Sequence, residues 1–156
     1  MTDLALHWDD IALAGDLRLV DGALETDDGL RTAILISLFS DARAGDDDAL
    51  PEPGADRRGW WGNAFPAVSG DAGNPLGSLL WLLERAKTTQ GNLRRAEEAA
   101  RNALQWLIDD QIASSVAVTV ERQTSDAMER IAIRIELERP NGPARQRFDI
   151  VWEASA

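Results

Sequence analysis

The chemistry open to this chain is that of carboxylates, because its 156 residues hold 27 aspartates and glutamates, one histidine and no cysteine. A glycosidase needs two well-placed Asp or Glu residues, one as general acid and one as base or nucleophile. Asp56, Asp71 and Glu84 are the candidates, since they lie in or beside a stretch of loop composition, residues 45–73. With so many acids the requirement selects nothing, and Glu84 reads better as a solvent-side helix residue pairing with Lys87 or the neighbours of Arg85. His7 falls in an N-terminal strand with no cysteine to complete a nucleophile or metal set, so neither a His-dependent triad nor a multi-His zinc site is expected around it. Asp41, Asp46, Asp47 and Asp48 do not follow the spacing of a calcium loop and read as a solvated run. The sequence Gly70-Asp71-Ala72-Gly73 matches neither a phosphate loop nor a dinucleotide fingerprint. No catalytic residue, metal or cofactor is therefore expected.

The net charge of −11 opposes binding to phosphate backbones or anionic lipid, so nucleic acid and membrane are not expected partners. The basic pairs Arg57-Arg58, Arg94-Arg95 and Arg145 with Arg147 read as local salt bridges. The N-terminus lacks the basic and apolar regions of a secretion signal, and no stretch approaches the ~20 apolar residues that span a bilayer. Together with the absence of cysteine, this fits synthesis in a cytoplasm. Hydrophobic residues at 44% and charged residues at 28% have the balance of a globular protein, and the length suits one domain over residues 1–156.

The elements that must position any site follow from periodicity. Residues 4–8 and 17–19 alternate as short strands, the second followed by the turn signal Asp21-Gly22. Thr26-Asp27-Asp28 has the composition of a helix N-terminus, and Leu30, Ala33, Ile34 and Leu38 follow at helical spacing to about residue 42. A second helix is predicted to open at Asn74-Pro75 and carry Leu76, Leu79, Leu80, Leu83 and Ala86. A third, over residues 92–109, presents Leu93, Ala96, Ala100, Ala103, Leu104 and Leu107. The alanines would let these two helices approach as an antiparallel hairpin. Three strands close the chain, with Val116, Val118 and Val120, then Ile131, Ile133, Ile135 and Leu137, then Phe148, Ile150 and Trp152 on their apolar faces, and a turn at 140–143. The expected fold is α+β: helices packed on one face of a small antiparallel sheet, with a long Gly/Pro/Asp-rich loop at about 45–73.

That loop contains Arg57, Arg58, Gly59, Trp60 and Trp61, the strongest candidate site. Adjacent tryptophans in extended backbone point to opposite sides, so both are buried only if something covers each side. One can plug the core while the other joins an arginine as an interface anchor, since Trp and Arg lead the residue types at hot spots. Trp8, Trp81, Trp106 and Trp152 lie on apolar arcs and are expected in the core.

The blocks Arg57-Arg58-Gly59-Trp60-Trp61-Gly62 and Leu80-Trp81-Leu82-Leu83-Glu84-Arg85-Ala86-Lys87, with residues 30–39 and 103–108 in the same order, resemble the gene product 46 family of Mu-like phages over about residues 17–152. The resemblance implies a small baseplate wedge subunit of a contractile tail, present in several copies around the tail axis and bound to other wedge and sheath proteins. It also implies a likeness to lysozyme-like wedge proteins, and so an alternative: a peptidoglycan-cleaving enzyme using paired carboxylates. No motif carries catalytic residues onto positions of this chain. Two further expectations are an isolated chain that associates weakly and an end strand of the sheet, residues 116–121 or 148–152, open to pairing with a neighbour's strand.

Overall fold

The computed structural model describes residues 3–27, 30–65, 75–125, 128–140 and 145–152. The predicted turn at 140–143 and the helix cap at Asn74 lie wholly or partly outside the described residues, as do residues 66–73 of the long loop and Asp71.

The fold is α+β. Its main sheet has three antiparallel strands in sequence order, β7 (Ser115–Ser125), β8 (Met128–Glu138) and β9 (Gln146–Trp152). Val118, Val120, Ile131, Ile133, Ile135, Leu137, Ile150 and Trp152 are buried on one face, as the period-two alternation requires. They share a core with Ile34, Leu35 and Leu38 of helix α1 (Arg31–Phe39) and with Leu93, Ala96 and Ala100 of α2 (Gln90–Ala103). The opposite face carries charges set across from one another, Arg134 facing Asp149 and Glu136 facing Arg147. Asp149 accepts from Arg147 Nε at 2.8 Å and Arg134 Nε at 3.1 Å. These contacts, Arg147 foremost, hold its carboxyl below the ordinary value of 3.8.

Helix α2 is capped by Thr89, whose hydroxyl accepts from the Asn92 amide at 3.3 Å, and its first residue, Gln90, lies two residues before the predicted start at 92. It does not run unbroken to 109. At Leu104 and Gln105 the amides bond three residues back, to Arg101 and Asn102, and a separate turn, α3 (Trp106–Asp109), follows. The greater departure is at 75–86, where no long helix forms among the described residues. A single 3₁₀ turn, Leu80–Leu83, stands there instead. Leu80 and Leu83 enter the main core while Trp81 and Leu82 enter a second cluster with Ala44, so the segment is buried on both sides. Apolar residues on every side leave periodicity unable to choose an element.

The N-terminal residues form a small ribbon of paired strands. β2 (Leu6–Asp9) pairs with β3 (Ala14–Leu17), β4 (Leu19–Val20) with β5 (Ala23–Leu24), and β1 (Asp3–Leu4) with β6 (Thr26–Asp27). Asp21 and Gly22 take φ values of 51° and 83°, the left-handed pair that a two-residue hairpin turn of matching twist uses. Thr26 and Asp27 thus belong to a strand and not to the helix start predicted for them. Asp27 nevertheless accepts from the Thr32 amide at 3.2 Å, capping α1 from the neighbouring strand. The ribbon is fixed to the body through its first strands. The buried Thr32 hydroxyl donates to Leu4 O and accepts from Leu6 N, at 2.8 and 2.9 Å. Trp8 stacks on Phe39 with ring centroids 4.1 Å apart, and its indole donates to Val151 O at 2.8 Å.

That last contact bears on the edge of the sheet. β7 and β9 are its outer strands, and the outward N–H and C=O of Val151 on β9 are both taken, by Asp10 Oδ1 at 3.3 Å and by Trp8. A strand added at that point of β9 would have to displace the ribbon.

Candidate functional site

Residues 40–44 run beside residue 78 in a short parallel bridge, with Ser78 N donating to Ser40 O at 2.8 Å and Ala42 N to Ser78 O at 2.9 Å. Gly77 permits this approach. Its φ is +117°, and a Cβ there would lie 2.7 Å from Ala42 N. Trp81 Nε1 donates to Ala42 O at 2.8 Å. The bridge and the 3₁₀ turn make the platform on which the Arg-Arg-Gly-Trp-Trp-Gly block sits.

Both arginines of the block turn towards their own chain. Arg57 donates to Gly45 O and, at 2.8 Å, to Asp46 O, closing the segment between them. Arg58, at φ 49°, bonds Glu84 through both terminal nitrogens at 3.2 and 3.3 Å and Asp41 at 3.0 Å, while its guanidinium lies 4.6 Å from the Trp81 ring centroid. The Glu84 hydrogen bonds chiefly, with Asp41 second, raise its pKa above the ordinary arginine value. Gly59, at φ +113°, passes so close to Arg43 that a Cβ would come within 2.9 Å of its side chain. We expect Arg58→Ala to cost about 1 kcal/mol in dilute buffer, the sum of a partly exposed ion pair and a cation–π contact. Most of the ion-pair share should vanish in 1 M salt. A loss unchanged by salt in paired denaturant titrations would mean that packing on Trp81 dominates.

The tryptophans behave differently. Gly62 lies under the Trp60 ring, which leaves no room for a Cβ, and Trp60 is half-buried. Asn63, in the 3₁₀ turn Trp61–Ala64, exchanges two 3.0 Å hydrogen bonds with the backbone of Leu76. Trp61 is left 72% exposed, with Phe65 54% exposed edge-on to it at 6.0 Å. The five candidate residues are therefore contiguous but divided in orientation: Arg57 and Arg58 brace the loop, Gly59 turns it, Trp60 packs on Gly62, and Trp61 projects.

Of the carboxylates suggested for chemistry, Asp71 lies outside the described residues and the other two are engaged by Arg58. Glu84 and Asp41 share the Arg58 guanidinium, and Asp56 accepts from the Arg58 amide at 3.2 Å. Asp46 lies 3.7 Å from Arg57 Nε, and Asp48 accepts from Gly45 N at 2.8 Å. Among the described residues no three His, Cys, Asp or Glu are gathered as a metal site would need. His7 pairs with Glu25 at 2.9 Å inside the ribbon. A groove of about 800 Å³, which the sequence did not signal, opens between α1, residues 75–79 and α2–α3. Ile36, Leu79, Ala99 and Trp106 contribute to its lining, and Asp110 is the one carboxylate there among the described residues. No helix among the described residues is long and apolar enough to cross a membrane.

This is an α+β protein whose charged side chains brace loops and whose conspicuous surface groups are aromatic and aliphatic. The chain belongs to the phage protein GP46 family, whose profile matches residues 30–144. It is 43% identical over 122 residues to the baseplate protein gp46 of Escherichia phage Mu, covering 78% of this chain and 79% of that protein. It is 38% identical over 153 residues to the Mu-like prophage FluMu protein gp46 of Haemophilus influenzae, covering 97% and 98%. No solved structure matches.

Proposed function

We propose that the chain is a single-domain structural subunit of a contractile phage or prophage tail baseplate, made in the bacterial cytoplasm and built into the virion tail. In this reading it binds neighbouring wedge and sheath proteins, in several copies around the tail axis. The observation that carries it is the 43% identity, over most of both chains, to a protein named for the Mu baseplate. Charge distribution supports it: among the described residues the groove is lined by one carboxylate where glycoside cleavage needs two, and Glu84 and Asp41 are held by Arg58. Peptidoglycan cleavage is the reading it displaces, and release of soluble fragments from cell wall by the purified chain would restore that reading.

Within the proposal, Trp61 and Phe65 form the anchor for a neighbouring subunit. An exposed Trp beside a second aromatic is the kind of side chain that dominates an interface once desolvated. Trp61→Ser should leave the thermal midpoint within about 2 °C, because the side chain is mostly in water. Its incorporation into purified tails should fall at least about tenfold, the equivalent of roughly 1.4 kcal/mol of lost contact. Quantitative immunoblotting of tails from complemented cells reads this directly, and wild-type incorporation of the variant would remove Trp61 from the interface.

A further inference from the structure

We infer that the outer surface of the N-terminal ribbon, strands β3 to β5, is a second docking surface, for a protein partner presenting an apolar patch bordered by lysine and arginine. The inference rests on the baseplate reading and adds the chemistry of one neighbour.

Single exposed hydrophobic side chains are ordinary, but here they are concentrated. Leu4, Ile11, Leu17, Leu19, Val20 and Leu24 are each at least 41% exposed, and only Ile36, Trp61 and Phe65 join them among the large exposed hydrophobics of the described residues. The register sets Leu19 beside Leu24 at the far hairpin. Every residue of β3, β4 and β5 is exposed, whereas residues 4–10 make the contacts to Thr32, Phe39 and Val151. The ribbon is thus held through residues 4–10, while strands β3 to β5 stand in water. Paired strands two residues long bury too little to be independently stable, so ordered hairpins presenting leucine outward suit a surface that a partner completes.

Charge selects the partner. In the same stretch of chain stand Asp9, Asp10, Asp16 and Asp21, all exposed, against one cation, Arg18, while Arg130 reaches the ribbon from β8 at Asp10 O. A second copy would bring the same acids, and a net charge of −11, against them. A basic-rimmed apolar surface gains at the rim in encounter rate and register and at the centre in burial.

The test uses the full chain and, as probes, each tail protein encoded by the same phage or prophage, purified singly and titrated at low and high salt. We expect one of them to bind, with Kd weakened at least tenfold by Leu19→Ser/Leu24→Ser. Asp16→Asn/Asp21→Asn should weaken it severalfold at low salt and flatten the salt dependence. Both pairs are solvent-facing, and an unchanged circular dichroism melt shows that the variants are folded. Unchanged affinity in both, or no binding by any probe, overturns the inference. So does dimerisation of the wild type that Leu19→Ser/Leu24→Ser abolishes in sedimentation, since the occupant is then a second copy. Absence of the wild-type chain from purified tails would refute the baseplate reading itself. Its presence there, with full incorporation of Leu19→Ser/Leu24→Ser, would refute the ribbon surface alone.

Discussion

Gly77→Ala is expected to destabilise the protein by about 4 kcal/mol, lowering the thermal midpoint by roughly 8–16 °C for a chain of this length. Two effects add. Backbone at φ +117° is territory that side chains rarely enter, costing about 1–3 kcal/mol. The new methyl would also press on Ala42 N at 2.7 Å, Ser40 O at 2.8 Å and Asp41 C at 2.9 Å, all main-chain atoms. They cannot retreat without opening the Ser78–Ser40 and Ala42–Ser78 hydrogen bonds, each worth about 0.5–1.5 kcal/mol net. Gly54→Ala is the control: its φ is +77° but nothing lies within 4 Å of the added carbon, so only the conformational cost of about 1 kcal/mol remains. Guanidinium titrations of the two variants therefore separate steric contact from backbone strain. Equal losses would show that the bridge at residue 78 yields easily.

Trp8→Ala should cost about 3 kcal/mol, at the low end for loss of a large aromatic because the ring is only half-buried, with a fall of roughly 6–12 °C in midpoint. The side chain joins three parts of the fold: it lies on β2, stacks on Phe39 at the end of α1, and donates to Val151 O on β9. Trp8→Phe retains most of the stacking area and gives up the hydrogen bond, whose acceptor can turn to water, so about 1 kcal/mol is expected. Loosening should be local as well as global. Because residues 14–24 are exposed and depend on residues 4–10 for their attachment, protease should cut Trp8→Ala within residues 10–25 well before the sheet opens. A variant that melts early but shows no preferential cleavage there would place the loss in the main core.

Much of this architecture is legible in side-chain alternation. The three long strands announce themselves because each lies with one face on the core and one in water, the condition under which a period of two appears in sequence. Helix α2 does so for the same reason at a period of 3.6. Residues 75–86 do not, since Leu80, Trp81, Leu82 and Leu83 are buried in two clusters at once and keep no polar side to mark an orientation. The candidate site was legible as a position and not as a division of labour. Arg57, Arg58, Gly59, Trp60 and Trp61 stand out by composition, but the partners of Arg58 lie 17 and 26 residues away in the chain.

By itself, then, the sequence determined the α+β class, the register-bearing strands, the acidic charge and the family, because these depend on local periodicity, composition and residue order. Only the tertiary structure decided that Arg58 braces Glu84 and Asp41 while Trp61 faces water, that the edge of β9 is closed at Val151 by Trp8 and Asp10, and that the N-terminal hairpins carry their leucines outward. Those outcomes depend on which distant segments are brought within hydrogen-bonding or van der Waals reach. A side chain has the same local propensities whether a neighbour covers it or water does, and packing alone makes that choice.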